Sequence, residues 1–306
     1  MRGYIGNTDR DFLRARPTLE EVNFWQPSGS RGFQAVLPGA PFFFRLKKPY
    51  YAIAGFGYFS FSRQLSPLLA WDAFQEANGT PSFISMRQSI DAYRRKNNAT
   101  PSEDLIGCLI VWKPIFFEEK DWVKEPSNWS KNIVSGSSYD LTTGEGKRIW
   151  EDCQLRVQQR QVVSLDGRKA AESVARYGEP ILIRPRLGQG SFRIAVTDAY
   201  SRACAVTTEH SLPVLEAAHI KPYADGGEHE VRNGLLLRTD VHKLFDRGYV
   251  TVTPDYHVEV SKRLQEEFSN GKTYYAMHGR KLELPANHES WPEPSLLKWH
   301  NEAVFR

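Results

Sequence analysis

Four polar residues in the C-terminal third have the types and spacing that a reaction centre needs. His219 closes the apolar run VLEAAHI and precedes Lys221-Pro222, which places it at the end of a strand. Asn233 follows a loop containing Asp225-Gly226-Gly227 and opens a second apolar run, Gly234 to Leu237. A short helix, DVHKLFDRG, comes next; Thr239 or Asp240 can cap its start, and Gly248 ends it. On that helix His242 and Asp246 are four residues apart, so both side chains leave one face. Imidazoles and carboxylates move protons and bind cations at neutral pH. Singly, a histidine in an apolar run more often completes a core, and a His/Asp pair on a helix is more often a surface pair. The ordered set carries the reading.

Strand, loop, strand and helix, with His, Asn and His at these places, resemble the HNH (ββα-metal) endonuclease family. The wording AAHIKP, NGLLL and HKLFDRG, within the segment from Cys204 to Pro254, is similar to its restriction-type subgroup. The resemblance implies phosphodiester hydrolysis, which needs a deprotonated water and positive charge on the phosphate and leaving oxygens. It assigns catalysis to His219, Asn233 and His242: His219 as general base, Asn233 holding the loop that orients it, and His242 as a metal ligand. Asp246 adds a carboxylate to the same ion. Many family members carry an Asp or His directly before the base, whereas this chain has Ala218. The ligand set is then His242, Asp246 and Glu216 or the substrate phosphate. A mixed carboxylate, water and single-imidazole set suits Mg²⁺ or Mn²⁺. His210, His229 and His257 match no family position and receive no role.

The rest of the chain must position this module. Its 306 residues, 41% hydrophobic and 25% charged, describe a globular protein of one large or two medium domains and exclude disorder. No apolar run is long enough to span a bilayer, and the first residues, MRGYIGNTDRDFLRARP, lack a secretory apolar stretch; a cytoplasmic location is expected. Cys108, Cys153 and Cys204 form no CxxC pair, which argues against a disulfide framework or a thiolate zinc site. The net charge of +4 is matched by the segment Arg160 to Arg202 alone, with eight Lys/Arg against four acids. Either that segment grips phosphate or it is a solvated face. Arg184, Arg186, Arg193 and Lys221 are the candidate DNA-binding cations.

Towards the N-terminus, Phe33 to Phe61 is dense in aromatic and β-branched residues and predicts two strands and a turn. Pro67 to Arg95 predicts two helices broken at Asn78-Gly79-Thr80-Pro81, and Leu105 to Phe117 a buried strand ending at Pro114. A Gly/Ser-rich stretch then leads to a helix from Ile149 to Val163, read as a connector. The tail after Lys262, with Trp291, Leu296, Leu297 and Trp299, is apolar enough to pack across a domain. The fold class is α+β, with an N-terminal mixed sheet or barrel at 1–130, a helical connector at 131–165 and a nuclease domain at 166–306. The string PGAPFFFRLKKPYYAIAGFGYFS resembles the sheet of PUA-like domains (EVE, YTH, SRA), which implies a modified base flipped between aromatic walls. Trp25, Tyr58, Trp71 and Trp112 are the candidate walls; the competing reading makes most of them core.

The composite is a modification-dependent endonuclease acting on double-stranded DNA, as one copy or a homodimer, and away from membranes. Two other readings stay open: a DNA-binding regulator on an HNH fold that has lost catalysis, and a mobile-element homing nuclease.

Overall fold

Three consecutive phenylalanines, Phe42, Phe43 and Phe44, are fully buried, which an extended chain allows only where both faces of its sheet are covered. The computed structural model, which describes residues 1–14, 20–27, 33–98, 104–164 and 188–306, shows how. Strands β1 (Arg2–Thr8), β2 (Glu21–Gln26), β3 (Pro41–Leu46), β4 (Ala52–Leu65), β5 (Ile106–Phe116), β6 (Val123–Lys124) and β7 (Gly136–Asp140) form one mixed sheet. The order is β2-β5-β4-β3-β1-β7, with β6 on β4; among the described residues the β1/β3 pair is parallel and the other pairs antiparallel. Phe42 and Phe44 meet Phe24 and Phe12, with ring centroids 5.0 and 5.6 Å apart. Phe43 turns to the other face, joining Ile5, Ile53 and Phe56.

That second face is covered by the helix that the sequence reading took for a connector. Within α3 (Gly144–Ser164), Ile149, Cys153 and Val157 recur every four residues and share one core with Ile5, Phe43 and Phe56; α1 (Pro67–Phe74) and α2 (Phe83–Lys96) precede it. β7 also pairs antiparallel with β1. The boundary expected at residue 130 is therefore corrected: β7 and α3 belong to the first of two compact units, Met1–Pro185 and Arg186–Arg306. The two helices expected between Pro67 and Arg95 are present, each capped by a serine: Ser66 Oγ accepts from Leu69 N, and Ser82 Oγ from Ser85 N. β5 does not stop at Pro114. Between Tyr58 and Phe56 of β4 the register shifts opposite Trp112 and Ile115, and Lys113 has φ 46°, so Pro114 lies in a bulge that asks no N–H of it.

In the second unit, α4 (Gln189–Ala199) packs on the two-stranded hairpin β8 (Leu215–His219) and β9 (Gly234–Arg238). Helix α5 (Thr239–Asp246) follows β9 directly and crosses back over the hairpin. The expected cap is corrected: Thr239 and Asp240 are the first helical residues. Thr239 Oγ1 donates to Val214 O, and Asp240 takes a bidentate pair from Arg238 at 2.7 and 2.8 Å. Gly248 ends the turn at φ 71°, where a Cβ would fall 2.0 Å from Val304 O. A second hairpin, β10 (Val250–Val252) and β11 (Val258–Val260), is followed by α6 (Arg263–Phe268), α7 (Lys272–Tyr275) and α8 (Pro294–Ala303). Leu297 of α8 is fully buried, so the apolar tail packs as expected.

Candidate active site

His219 pairs in register with Gly234 at the loop end of the β8–β9 hairpin. A Cβ at Gly234 would fall 2.4 Å from Val196 Cγ2 and 3.0 Å from the Phe192 ring. The missing side chain lets α4 approach, and Phe192 then stacks on the His219 imidazole at 3.9 Å and 14°. On the ring's edge, His219 Nε2 lies 2.9 Å from Nδ1 of His229. Burial pushes the His219 pKa down to about 4, with the neighbouring imidazoles of His229 and His242 adding to the shift and Asp246 opposing it. His219 is therefore neutral at physiological pH, the state in which it can accept a proton.

His242 has the opposite environment. Its Nδ1 lies 2.7 Å from Glu216 Oε2 and its Nε2 3.3 Å from Asp246 Oδ2. Burial alone would lower its pKa, but hydrogen bonds to Asp246 and Glu216, and their charge, hold it above the usual histidine value. Strand alternation explains the part Glu216 takes. Residues 216 and 218 leave the same face of β8, so Glu216 brings a carboxylate to the side where Ala218 has none. Two carboxylates flanking one imidazole make this pocket attractive to positive charge, and one nitrogen with carboxylate oxygens is a donor set that a hard divalent cation accepts. Among the described residues no three His, Cys, Asp or Glu side chains already stand as a preformed cage. The two carboxylates lie on different ring nitrogens, so an ion at Nε2 would share Asp246, while Glu216 would orient the ring through Nδ1.

Asn233 is buried and clamps the intervening loop. Its Oδ1 accepts from Lys221 N at 2.9 Å, while its Nδ2 donates to Lys221 O at 2.8 Å and Glu228 O at 2.9 Å. Gly227 fits inside this clamp because a Cβ there would lie 1.9 Å from Lys221 O.

Of the four candidate DNA-binding cations, Arg184 and Arg186 lie outside the described residues. Arg193 is half-buried and donates to Leu215 O at 3.0 Å, so it braces β8. Lys221 Nζ sits 5.4 Å from the Trp299 ring centroid. In the N-terminal unit, Trp25 lines a cleft of about 760 Å³ with Phe12, Phe24, Asn78, Thr80 and Tyr93. Its Nε1 donates to Asn78 O at 2.8 Å, which fixes the indole plane, and Thr80 Oγ1 is buried with no hydrogen-bond partner among the described residues. The structure does not bring Tyr58, Trp71 or Trp112 to that cleft. Tyr58 packs beside Phe56 in the core under α3, Trp71 is half-buried on α1, and Trp112 lies on β5 beneath Lys113 Nζ at 4.3 Å. Sequence reasoning missed Phe192 and His229, which have no signal in helical or strand periodicity. A third histidine inside the His219–Asn233 loop was the available hint.

Residues 204–253 match a family model described as HNH endonuclease. No curated protein sequence matches the chain. Among solved structures, ASCH from Zymomonas mobilis superposes with a TM-score of 0.31 at 13% identity, covering 49% of this chain and 94% of that one. A single-residue variant of the same protein gives 0.32 at 12%, with the same coverage. A modification dependent restriction endonuclease, TagI, gives 0.29 at 14%, covering 90% of this chain and 64% of that one. No described helix is long and apolar enough to cross a membrane. The strand, loop, strand and helix that hold His219, Asn233 and His242 are thus an HNH endonuclease module within a larger α+β chain.

Proposed function

We propose that this chain is a divalent-metal-dependent DNA endonuclease in which His219 is the general base and His242 and Asp246 hold Mg²⁺ or Mn²⁺. The observation that carries the reading is the placing of two imidazoles in one module, His219 at the end of β8 stacked on Phe192 and His242 on the following helix between Glu216 and Asp246. His219 is kept neutral by burial, and His242 is kept attractive to positive charge by two carboxylates. In hydrolysis His219 takes one proton from water as the water oxygen bonds to phosphorus. The bond from phosphorus to the 3′ oxygen breaks, and that oxygen leaves with a proton from solvent. A bound cation supplies positive charge to the phosphate and leaving oxygens. Asn233 holds the loop beside the base, and Lys221 with the Arg184–Arg193 segment meets backbone phosphates.

The N-terminal unit directs the cutter to modified double-stranded DNA through the cleft around Trp25. An aromatic wall of fixed orientation, with the Thr80 hydroxyl beside it, offers stacking and a hydrogen bond to one flipped base. The test incubates the full chain and Mg²⁺ or Mn²⁺ with unmodified, methylated, hydroxymethylated, glucosylated and phosphorothioated plasmids. Cleavage of at least one modified plasmid over the unmodified one is expected, and Trp25→Ala should erase that preference while Trp112→Ala keeps it. No cleavage of any plasmid would sink the nuclease reading; equal cleavage of all would sink the reader alone.

A further inference from the structure

The loop between the two hairpin strands holds a second imidazole against the first, and nothing in the reading above uses it. His229 is half-buried, and its ring is stacked on Tyr223 at 5.0 Å and 4°. The preceding residue, Glu228, is tied through its carbonyl to Asn233, and Asn233 also grips both the N–H and the carbonyl of Lys221. Both ends of the loop are therefore fixed to one buried amide. The result is a contact of 2.9 Å between His229 Nδ1 and His219 Nε2, with the two rings inclined at 62°. Phe192, flat on His219, prevents the ring from turning away.

A neutral imidazole carries one proton on either nitrogen, and the partner of one nitrogen decides which. A histidine that accepts a proton from water needs a bare nitrogen facing the water. Were His219 to accept at Nε2, its proton would sit on Nδ1, and neither nitrogen would remain for the reaction. Were it to donate from Nε2, Nδ1 would be bare; among the described residues Nδ1 has no hydrogen-bond partner. We propose that His229 is a positioning residue for His219: its Nδ1 accepts the Nε2–H of His219 and so holds the tautomer in which Nδ1 of His219 takes the proton from water. The inference rests on the reading of His219 as the base. It also gives Asn233 a defined part, since the amide holds His229 through the loop. When His219 gains its second proton, the hydrogen bond to His229 becomes charge-assisted, which favours the step. His229 itself touches neither water nor phosphate in this scheme.

Two variants separate the acceptor from the ring. His229→Phe keeps a flat ring on Tyr223 and removes the nitrogen; His229→Asn places an amide oxygen near the position of Nδ1. In the full chain with Mn²⁺, His229→Phe should lower kcat by ~10–100-fold, as loss of an orienting partner typically does, with KM for DNA unchanged within about twofold. His229→Asn should recover most of that loss. Nitrogen NMR of the metal-free, histidine-labelled protein reads the tautomer without any turnover. It should show His219 protonated at Nε2 and bare at Nδ1 in the natural chain, and a mixture of tautomers in His229→Phe. A His219 proton on Nδ1 in the natural chain overturns the proposal even where a variant fails to fold. So does a His229→Phe protein with undiminished kcat, or an Asn variant no better than Phe. His219→Ala separates the two claims: near-normal cleavage by it removes the base and with it this inference, whereas loss of cleavage in His219→Ala beside full activity in His229→Phe removes the inference alone.

Discussion

Every group of the C-terminal site, from Phe192 to Asp246, comes from one helix, one hairpin and the helix that follows it. The cleft of the N-terminal unit is assembled differently. Phe12 lies on the single-turn helix Arg10–Arg14, Trp25 on β2, Asn78 on the turn Gln75–Asn78 and Tyr93 on α2. A site on contiguous elements has its spacing written into a short stretch of chain, since loop length and strand period set which side chains meet. A site on four distant elements has no such signature, because it exists only once the sheet has closed around it. The same contrast appears in polarity. The nuclease module sets two imidazoles near each other with opposite surroundings, one buried beside another imidazole and one between two carboxylates, whereas the cleft relies on aromatic faces, with the Trp25 indole pinned by a single hydrogen bond.

The contrast can be broken most severely by truncation. A fragment ending at residue 130 lacks β7 and α3, exposing Ile5, Phe43 and Phe56, and should be insoluble or unfolded by circular dichroism, while the full chain folds. A soluble, cooperatively melting fragment would show that the sheet closes without them. Next in size, His219→Ala should cut plasmid cleavage by ~10²–10⁴-fold with DNA affinity nearly unchanged, since a general base acts on the rate and little on ground-state binding. Cleavage within about tenfold of normal would remove His219 from the mechanism. His242→Ala should weaken Mn²⁺ binding by titration calorimetry and regain part of its cleavage in excess Mn²⁺; Asp246→Asn should do so more mildly, because Asp246 is more exposed. Unchanged affinity in both would refute the ligand assignment.

A smaller effect is expected at Asn233. Asn233→Ala strands three loop groups, Lys221 N, Lys221 O and Glu228 O, and should cost about 1–3 kcal/mol in denaturant unfolding, the usual range for buried polar groups left unpaired. Loss of less than about 0.5 kcal/mol would mean that water replaces the amide. The smallest effect is on pH. Burial holds both His219 and His300 at about 4, below the ordinary value of 6.5, so the unfolded chain binds their protons first. Their contribution to stability is complete above pH 6.5 and is lost as pH falls towards 4; the raised His242 works in the opposite direction. The melting temperature should therefore fall on acidification from pH 7 to 5, and His300→Gln should flatten that fall. An equal slope in the variant would show that His300 takes no part.

The nuclease module could be read in advance through its resemblance to the HNH family, which a short contiguous segment can carry because the chemistry depends on local geometry. The i,i+4 spacing of His242 and Asp246, the glycine at 234 and the apolar runs around them are constrained over a few residues, and strand and helix periods convert that spacing directly into position. The two aromatic-rich strands and the pair of helices after them were legible for the same reason, as was the burial of the apolar tail. Three things were not. The role of α3 was hidden because Ile149, Cys153 and Val157 describe an apolar stripe but not the surface it covers, and only the sheet face of Phe43 and Phe56 supplies that surface. Trp25 could not be separated from Trp71 and Trp112, since composition marks aromatics without saying which sheet face or cleft each one meets. His229 and Phe192 reach His219 through a loop closure and an inter-element contact, and such contacts follow from packing in three dimensions, for which a linear chain carries no period.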